Sequence, residues 1–360
     1  MGEINNRWLS FLVQQGAQLS DGEPHDIVGF QGTSQDTSLR VLQDEGFICA
    51  LPGLGLTQAS GEDAAHFLHS QLTNDVEHLG NGEARLAAYC SPKGRMLASM
   101  LMWRTEQNIF LQLPREIQAA LQKRLQMFVL RAKVKLTDVS DSLVTVGLTG
   151  KDIPALLAPW FNVFPGAPYA KVESAAGSLI RVADAQGLPR YLWIAPVETA
   201  EAAWTELTNK LPSRASAAWR LGDIRAGIGH IVKATQEQFV PQMVNFEVVG
   251  GVNFRKGCYP GQEIVARSQY LGKLKRRMVR AVIATQSPVI AGMEVFSIAD
   301  PEQPCGMIVN AEFAAPGHAE CLVEIKMNVL NEGDVRLGSA NGPLLKFEPL
   351  PYVLPADNAA

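Results

Sequence analysis

The sequence after Lys273 consists of short apolar runs separated by Pro and Gly, with no apolar pattern of helix length. The runs are RMVRAVIA, GMEVFSIA, CGMIVNA, ECLVEIK and LLKFEPLPY. Several short strand-like runs at this spacing are typical of a small antiparallel barrel. The sequence therefore predicts an all-β unit at the C-terminal end of the chain.

The chain before Lys273 alternates strand-like and helix-like patterns. FICAL, LGLTQA, ARLAAYC and MLASMLMW predict strands from Gly46 onward, with helical patterns between them. A second mixed pattern begins at VTVGLTG (144–150), and a helical pattern returns near residue 214. The length of 360 residues favours two or three domains. We therefore expect two α+β units followed by the all-β unit.

The composition is that of a globular protein, with 47% hydrophobic and 19% charged residues and a net charge of −4. No apolar run approaches the roughly 20 residues of a membrane span. The first residues, MGEINNRWLSFLVQQG, lack the apolar core and cleavage site of a secretory signal. We therefore expect a cytoplasmic protein without a membrane partner.

The five cysteines are an odd number and form no CxxC pair, which argues against a disulfide framework and a structural zinc site. His66 and His69 are spaced as neighbours on a predicted helix, but no cysteine close in sequence completes a metal site. We interpret the two histidines as part of a solvated helix face and expect no metal.

The segment KGCYPGQE (256–263) places Cys258 just before a predicted helix. Pro260-Gly261 is a turn or helix-entry signal, and residues from Gln262 to Gln269 have helical character. A helix N-terminus and the neighbouring cations of Arg255 and Lys256 favour a thiolate, which predicts a reactive cysteine. The alternative is a small buried hydrophobe that packs the turn.

The same region is the most basic part of the chain. Seven cations stand against Glu263 alone between residues 253 and 278: Arg255, Lys256, Arg267, Lys273, Lys275, Arg276 and Arg277. Such a run often forms a solvated face. Next to a cysteine and a turn, it also suits an anionic partner, either the carboxylates of a small molecule or the phosphates of RNA.

KGCYPGQEIVAR resembles the signature of the YgfZ-type folate-binding proteins, which are linked to tRNA modification and iron–sulfur maintenance. Further segments that resemble the family are SGEDAAHFLHSQLTNDV, AAYCSPKGRML, WRLGDIRAGI and FVPQMVN. The likeness runs from about Gly46 to Tyr352. The signature residues are Lys256, Gly257, Cys258, Tyr259, Gly261, Gln262, Glu263 and Arg267.

The resemblance implies an α+β fold of the aminomethyltransferase type, with three domains in a ring. The implied boundaries are an N-terminal extension (1–45), a discontinuous folate-binding domain (46–143 and 213–272), an inserted α+β domain (144–212) and a C-terminal β-barrel (273–355). The implied cofactor is tetrahydrofolate or a one-carbon derivative. Trp219 matches a tryptophan associated with folate binding in the family. Other candidates for contact with the folate are Asn74, Asp75, Tyr89, Lys93 and Gln242.

The chain departs from the related aminomethyltransferases at a catalytic position and at a position that binds the pterin. Where those enzymes carry an aspartate that acts on the substrate amine, this chain has Met96, Leu97 and Ala98. Arg225 replaces a carboxylate that binds the pterin, and a guanidinium cannot accept hydrogen bonds from pterin N–H groups. Leu54 stands where the family often has a second aromatic residue.

Three functional hypotheses remain at this point. The leading one is a folate-binding accessory protein for assembly or repair of iron–sulfur clusters, including those of tRNA-modifying enzymes, with Cys258 meeting a cluster, a sulfur species or a partner protein. The alternatives are a folate-dependent aminomethyl- or methyltransferase and an RNA-binding module. The expected partners are thus a reduced folate, iron–sulfur proteins or assembly factors and, in the last case, RNA.

Overall fold

The structure is a computed structural model that describes residues 6–31, 46–270, 274–331 and 333–355. Parts of the predicted N-terminal extension (1–5 and 32–45) lie outside the described residues, as do Lys273 and the predicted boundary beside it. The described residues fall into two compact units. The first lies within Met1–Phe67, His78–Arg85 and Leu101–Gly222, and the second within Leu68–Glu77, Leu86–Met100 and Asp223–Ala360.

Before the C-terminal strands, the chain forms two five-stranded sheets together with several helices. In chain order, the first elements are α1 (Arg7–Gln14), β1 (Ala17–Leu19), β2 (Ile27–Phe30), β3 (Phe47–Ala50), β4 (Leu54–Ser60), α2 (Ala64–Gln71), β5 (Ala84–Cys90), β6 (Met96–Arg104), β7 (Asn108–Pro114), α3 (Arg115–Gln126) and β8 (Lys135–Asp138). They are followed by β9 (Leu143–Thr149), α4 (Ile153–Leu157), β10 (Lys171–Ser174), β11 (Gly177–Ala185), β12 (Leu188–Pro196), α5 (Val197–Leu207) and α6 (Ser216–Arg225).

A hydrophobic core of the first unit lies on the sheet with strand order β10-β11-β12-β9-β3. Asn6 caps α1 by accepting a 3.0 Å hydrogen bond from the Leu9 amide, and Trp8 and Leu12 of this helix pack into the core. Trp8 meets Trp204 of α5 edge to face at 5.8 Å. The helices therefore cover this sheet by burying large apolar side chains.

Two helices of the first unit are shorter than their apolar patterns suggest. The pattern IPALLAPWF forms helix only over Ile153–Leu157, since Pro159 cannot continue it. The pattern from 197 to 211 forms helix only to Leu207. Beyond it, the hydroxyl of Thr208 donates to the carbonyl oxygen of Trp204 at 2.8 Å.

The second unit holds the predicted C-terminal strands, beginning after α7 (Gln262–Tyr270). They are β13 (Arg276–Ala284), β14 (Glu294–Ser297), β15 (Asp300–Ala315), β16 (His318–Lys326), β17 (Val335–Leu337) and β18 (Leu345–Glu348). Their antiparallel order is β17-β14-β15-β16-β13-β18, and a bridge between Arg336 and Leu344 joins the two edges. The sheet thus curls onto itself around an apolar core, as expected for a barrel.

The combination of helices with antiparallel sheets confirms the α+β class. The predicted domain boundaries stay a prediction, because the two compact units do not test them. One sheet does join residues from two of the predicted domains: β3, from the range 46–143, pairs with β9, from the range 144–212.

A buried ion pair within the second unit joins Arg225 to Glu320 of β16. Arg225 donates from Nε to Glu320 Oε2 at 3.0 Å and from a terminal nitrogen to Oε1 at 2.6 Å. The two side chains are only 9% and 11% exposed. Because a buried carboxylate needs a partner, removal of either side chain leaves an uncompensated charge.

We predict that Arg225→Met lowers the free energy of unfolding by about 3 kcal/mol, because Glu320 is left buried without its cation. The double variant Arg225→Met/Glu320→Leu should recover most of this loss, since it removes both charges. Urea unfolding of both variants measures the effect. Equal stability of the wild type and the single variant would contradict the assigned role of the pair.

Candidate functional site

Two turns that contain glycine are in close contact just before α7. Gly94 lies in the turn between β5 and β6 with φ of +71°, and Gly261 lies just before α7 with φ of +80°. A side chain on Gly261 would place its Cβ 2.4 Å from the Ser91 carbonyl oxygen and 2.7 Å from Gly94 Cα. The two backbones therefore approach so closely that only glycine fits at residue 261.

Lys256 anchors the other end of the signature segment on α2. Its ammonium group donates to the carbonyl oxygens of His69 and, at 2.8 Å, Leu72, at the C-terminal end of that helix. A cation there complements the negative end of the helix dipole. Burial lowers the pKa of Lys256 to about 8, while Asp75, Cys258 and Glu77 act in the opposite direction. The segment is thus held between α2 and the Gly94 turn.

Cys258 is exposed on this segment, whereas the other four cysteines are buried. Burial raises the pKa of Cys90 and of Cys321 to about 12 and also raises that of Cys305. These buried groups therefore remain thiols at neutral pH. The buried-hydrophobe interpretation of Cys258 does not fit its exposure.

The remaining signature residues support or flank the turn. Tyr259 is buried beneath Lys256, whose Nζ lies 4.9 Å from the ring centroid, and burial raises the pKa of the Tyr259 hydroxyl. The side-chain amide of Gln262 donates to the Gly257 carbonyl oxygen at 3.3 Å. Glu263 and Arg267 are exposed on α7.

His69 is a residue of this site that sequence reasoning missed. Its side chain is only 11% exposed, so the interpretation as a solvated helix face is wrong for His69. Its Nδ1 lies 3.0 Å from Asp75 Oδ1. Its Nε2 lies 3.5 Å from the position that a Cβ on Gly257 would occupy. The sequence carries no local signal for this placement, since it depends on the 256–258 segment folding over the end of α2.

The predicted folate contacts are placed in both units. Trp219 is 3% exposed in the first unit, where the Arg190 guanidinium lies 4.0 Å from its ring centroid. Asn74, in the second unit, is hydrogen-bonded to the carbonyl oxygens of Leu86 and Gly250 at 2.8 and 2.7 Å. Asn74 thereby fastens the turn that leads to Asp75.

The other predicted contacts all lie in the second unit. Tyr89 is buried on β5, opposite Leu72, and Lys93 is exposed in the Gly94 turn. Gln242 is fully buried and donates from Nε2 to the Val265 carbonyl oxygen at 2.8 Å. The structure thus brings Asp75 next to the Cys258 segment, while the folate role of each of these residues stays a prediction.

Three buried oxygens near Gln242 lack a hydrogen-bond donor among the described residues. They are Gln242 Oε1, Asn245 Oδ1 and Glu247 Oε2. All three are acceptors, and the second carboxylate oxygen of Glu247 already accepts from Arg277. A group that offers N–H donors would satisfy them, which is the chemistry that a pterin presents.

Only part of the basic run is available to an anionic partner. Arg276 pairs with Glu324 at 2.8 Å, and the buried Arg277 pairs with Glu247. Of the remaining cations that the structure describes, Lys256 is bound to backbone carbonyls. Arg255, Arg267 and Lys275 are exposed. The run is therefore much less basic on its surface than its sequence suggests.

The positions that depart from the aminomethyltransferases are apolar in the structure. Met96 and Ala98 are fully buried, Leu97 is half-buried, and none of the three can accept a proton. Leu54 is half-buried at the start of β4, opposite Pro114.

Comparison with known proteins matches residues 38–180 to the GCVT N-terminal domain. The tRNA-modifying protein YgfZ of Klebsiella pneumoniae (strain 342) is 31% identical over 310 residues, which cover 85% of this chain and 93% of that protein. The chain belongs to the YgfZ family of tRNA-modifying proteins. The YgfZ protein of Colwellia psychrerythraea (strain 34H) is 29% identical over 320 residues, covering 87% and 95% of the two chains. The predicted family is therefore confirmed.

A solved structure of the glycine cleavage system aminomethyltransferase T from Bartonella henselae is similar in fold to this YgfZ-family chain. The TM-score is 0.78 at 16% sequence identity, and the match covers 96% of this chain and 97% of the enzyme. This confirms the predicted aminomethyltransferase-type fold.

Neither a metal-binding cluster nor a membrane-spanning helix occurs among the described residues. No group of three or more His, Cys, Asp and Glu side chains in this part of the chain is arranged to hold a metal ion. No helix among the same residues is long and apolar enough to cross a membrane.

Proposed function

We propose that this protein is a folate-binding accessory factor that supports assembly or repair of iron–sulfur clusters, including those of enzymes that modify tRNA. The observation that carries the proposal is the exposed Cys258, held on a turn whose two ends are fixed by Lys256 and Gly261. A thiol presented in this way suits contact with a cluster, a sulfur species or a client protein. The names of the YgfZ relatives support the link to tRNA modification.

The buried acceptors of the second unit support a reduced folate as the ligand. A pterin could supply donors to Gln242 Oε1, Asn245 Oδ1 and Glu247 Oε2, which lack a donor among the described residues. The exposed ammonium of Lys93 suits the carboxylates of a glutamate tail. A reduced folate would bring a one-carbon group to the site, while these residues would bind and orient it.

Aminomethyl transfer has less support than the accessory role. General acid–base catalysis on an amine needs a carboxylate within hydrogen-bonding distance of that amine, and residues 96–98 include no acidic side chain. Arg225 is already paired with Glu320. Direct RNA binding is also less favoured, because ion pairs within the protein neutralise Arg276 and Arg277.

We predict that tetrahydrofolate binds the purified protein and that Gln242→Leu weakens binding about tenfold, because an acceptor for the pterin is lost. Calorimetry with reduced folate on wild type and variant measures this. Trp219→Ala should also weaken binding if Trp219 contacts the ligand as predicted, and Lys346→Gln, on the exposed face of β18, serves as a control. Absence of binding at millimolar folate would remove the cofactor from the proposal. Unchanged affinity in folded Gln242→Leu would remove Gln242 from the site.

We predict that Cys258→Ala keeps the fold and the affinity for folate but fails to restore iron–sulfur enzyme activity in cells lacking this protein. The reason is that loss of one exposed sulfur leaves no buried cavity, while the thiol function disappears. Cys305→Ala, which removes a buried cysteine from the C-terminal sheet, should restore activity. Full restoration by Cys258→Ala would show that the proposed thiol role is wrong.

A further inference from the structure

Four consecutive apolar residues follow α3 in the first unit, and only one of them is buried. Val129 is 8% exposed, whereas Met127, Phe128 and Leu130 are 63%, 49% and 89% exposed. Val129 occupies the place that faces the interior, which leaves its three neighbours on the surface. Because contiguous exposed apolar side chains are unfavourable unless something covers them, this group marks an interaction site.

The backbone that carries Leu130 is held in place by hydrogen bonds on its C-terminal side. Leu130 has a φ of +42°, a conformation that is unfavourable for a residue with a Cβ atom. The amide of Ala132 donates to the Val129 carbonyl oxygen at 2.8 Å, and the amide of Lys133 donates to Asp63 Oδ2, also at 2.8 Å. A strained residue that its surroundings fix in this way is typical of a binding site.

A groove of about 440 Å³ opens beside the exposed apolar residues. One face of α3, the residue that follows the helix and the end of β8 line it, with the side chains of Ala119, Gln122, Lys123, Gln126, Met127 and Asp138. The lining contains side-chain amides, an ammonium and a carboxylate, so it offers both hydrogen-bond donors and acceptors. A polypeptide, which also carries both, suits such a groove.

The carboxylate of Asp138 argues against a phosphate-bearing partner in the groove. Burial acts to raise the pKa of Asp138, but hydrogen bonds from Ser140 and Gln118 and the charge of Arg115 outweigh it and lower the pKa. Asp138 is therefore negatively charged at neutral pH. An RNA backbone or an anionic lipid surface would meet this charge with repulsion.

The rim of the surface is basic, although the chain as a whole has a net charge of −4. Lys123, Arg131 and Lys135 are exposed, and Lys133 pairs with Glu62. A symmetric dimer through this surface would set the cations against those of the second copy. An acidic partner of a different kind has the complementary charge.

We propose that Met127, Phe128, Leu130 and the adjoining groove form a docking surface for an acidic amphipathic helix of a partner protein. The apolar face of such a helix would cover the three exposed side chains, and its carboxylates would meet Lys123 and Arg131 at the rim. The surface makes no use of Cys258, so it is a second site in addition to the function proposed above.

The test is fluorescence anisotropy with a labelled helical peptide of about 18 residues, with leucine at i, i+3, i+4 and i+7 and glutamate at most other positions. The wild type should bind it saturably, and added salt should weaken binding because exposed charges are screened. Phe128→Ser/Leu130→Ser should raise the Kd about tenfold or more, since the apolar anchors are lost. A peptide with lysine in place of glutamate should not bind.

Val163→Ser is the matched control, because Val163 is another exposed apolar residue of the first unit, at 67%. It should leave the Kd unchanged. Lys123→Glu, a change at an exposed side chain of the rim, should also weaken binding, and it keeps the test decisive if the double variant does not fold.

Two results would overturn the proposal. One is the absence of saturable binding of the acidic peptide to the wild type, or equal affinity for the wild type and the folded variants. The other is binding of RNA or of phosphatidylglycerol vesicles that Phe128→Ser/Leu130→Ser abolishes while the peptide does not bind, which would assign the surface to nucleic acid or to a membrane.

Discussion

The contact of Lys256 with the end of α2 organises the candidate site. Its ammonium replaces water at the carbonyl oxygens of His69 and Leu72, and its burial is reflected in a pKa lowered to about 8. Hydrogen bonds from a charged donor offset part of this desolvation. The same contact brings Gly257 over the His69 imidazole and leaves Cys258 exposed beyond it. An exposed thiol is therefore carried by a backbone that is fixed on both sides.

Three arginines of the second unit form ion pairs with glutamates of the same unit. Arg225 pairs with Glu320, and two neighbouring arginines of β13 pair with Glu324 and Glu247. Such pairs cost desolvation energy and fix the position of a strand or a helix more than they add stability. They also remove cations from the surface, so this region offers fewer free charges to an anionic partner than its sequence suggests.

Much of the fold follows from local sequence patterns, whereas the details of the site do not. Alternating apolar runs give the strands of the C-terminal sheet, and Pro260-Gly261 marks the start of α7 because turn chemistry is local. The His69–Asp75 pair escapes such reasoning, since it depends on the chain turning back after α2. The exposed fraction of a charge also depends on distant partners, as the pair of Arg277 with Glu247 illustrates. The folate contacts, including Trp219, remain predictions.

The most direct test of the anchoring role of Lys256 is amide hydrogen exchange in Lys256→Met, with Lys275→Met as an exposed-lysine control. Methionine keeps the apolar length of the side chain but cannot donate to the end of α2. The account predicts exchange about tenfold faster for residues 253–261 in Lys256→Met, with the C-terminal sheet unchanged and no effect in the control. Unchanged exchange of residues 253–261 in Lys256→Met would contradict the account.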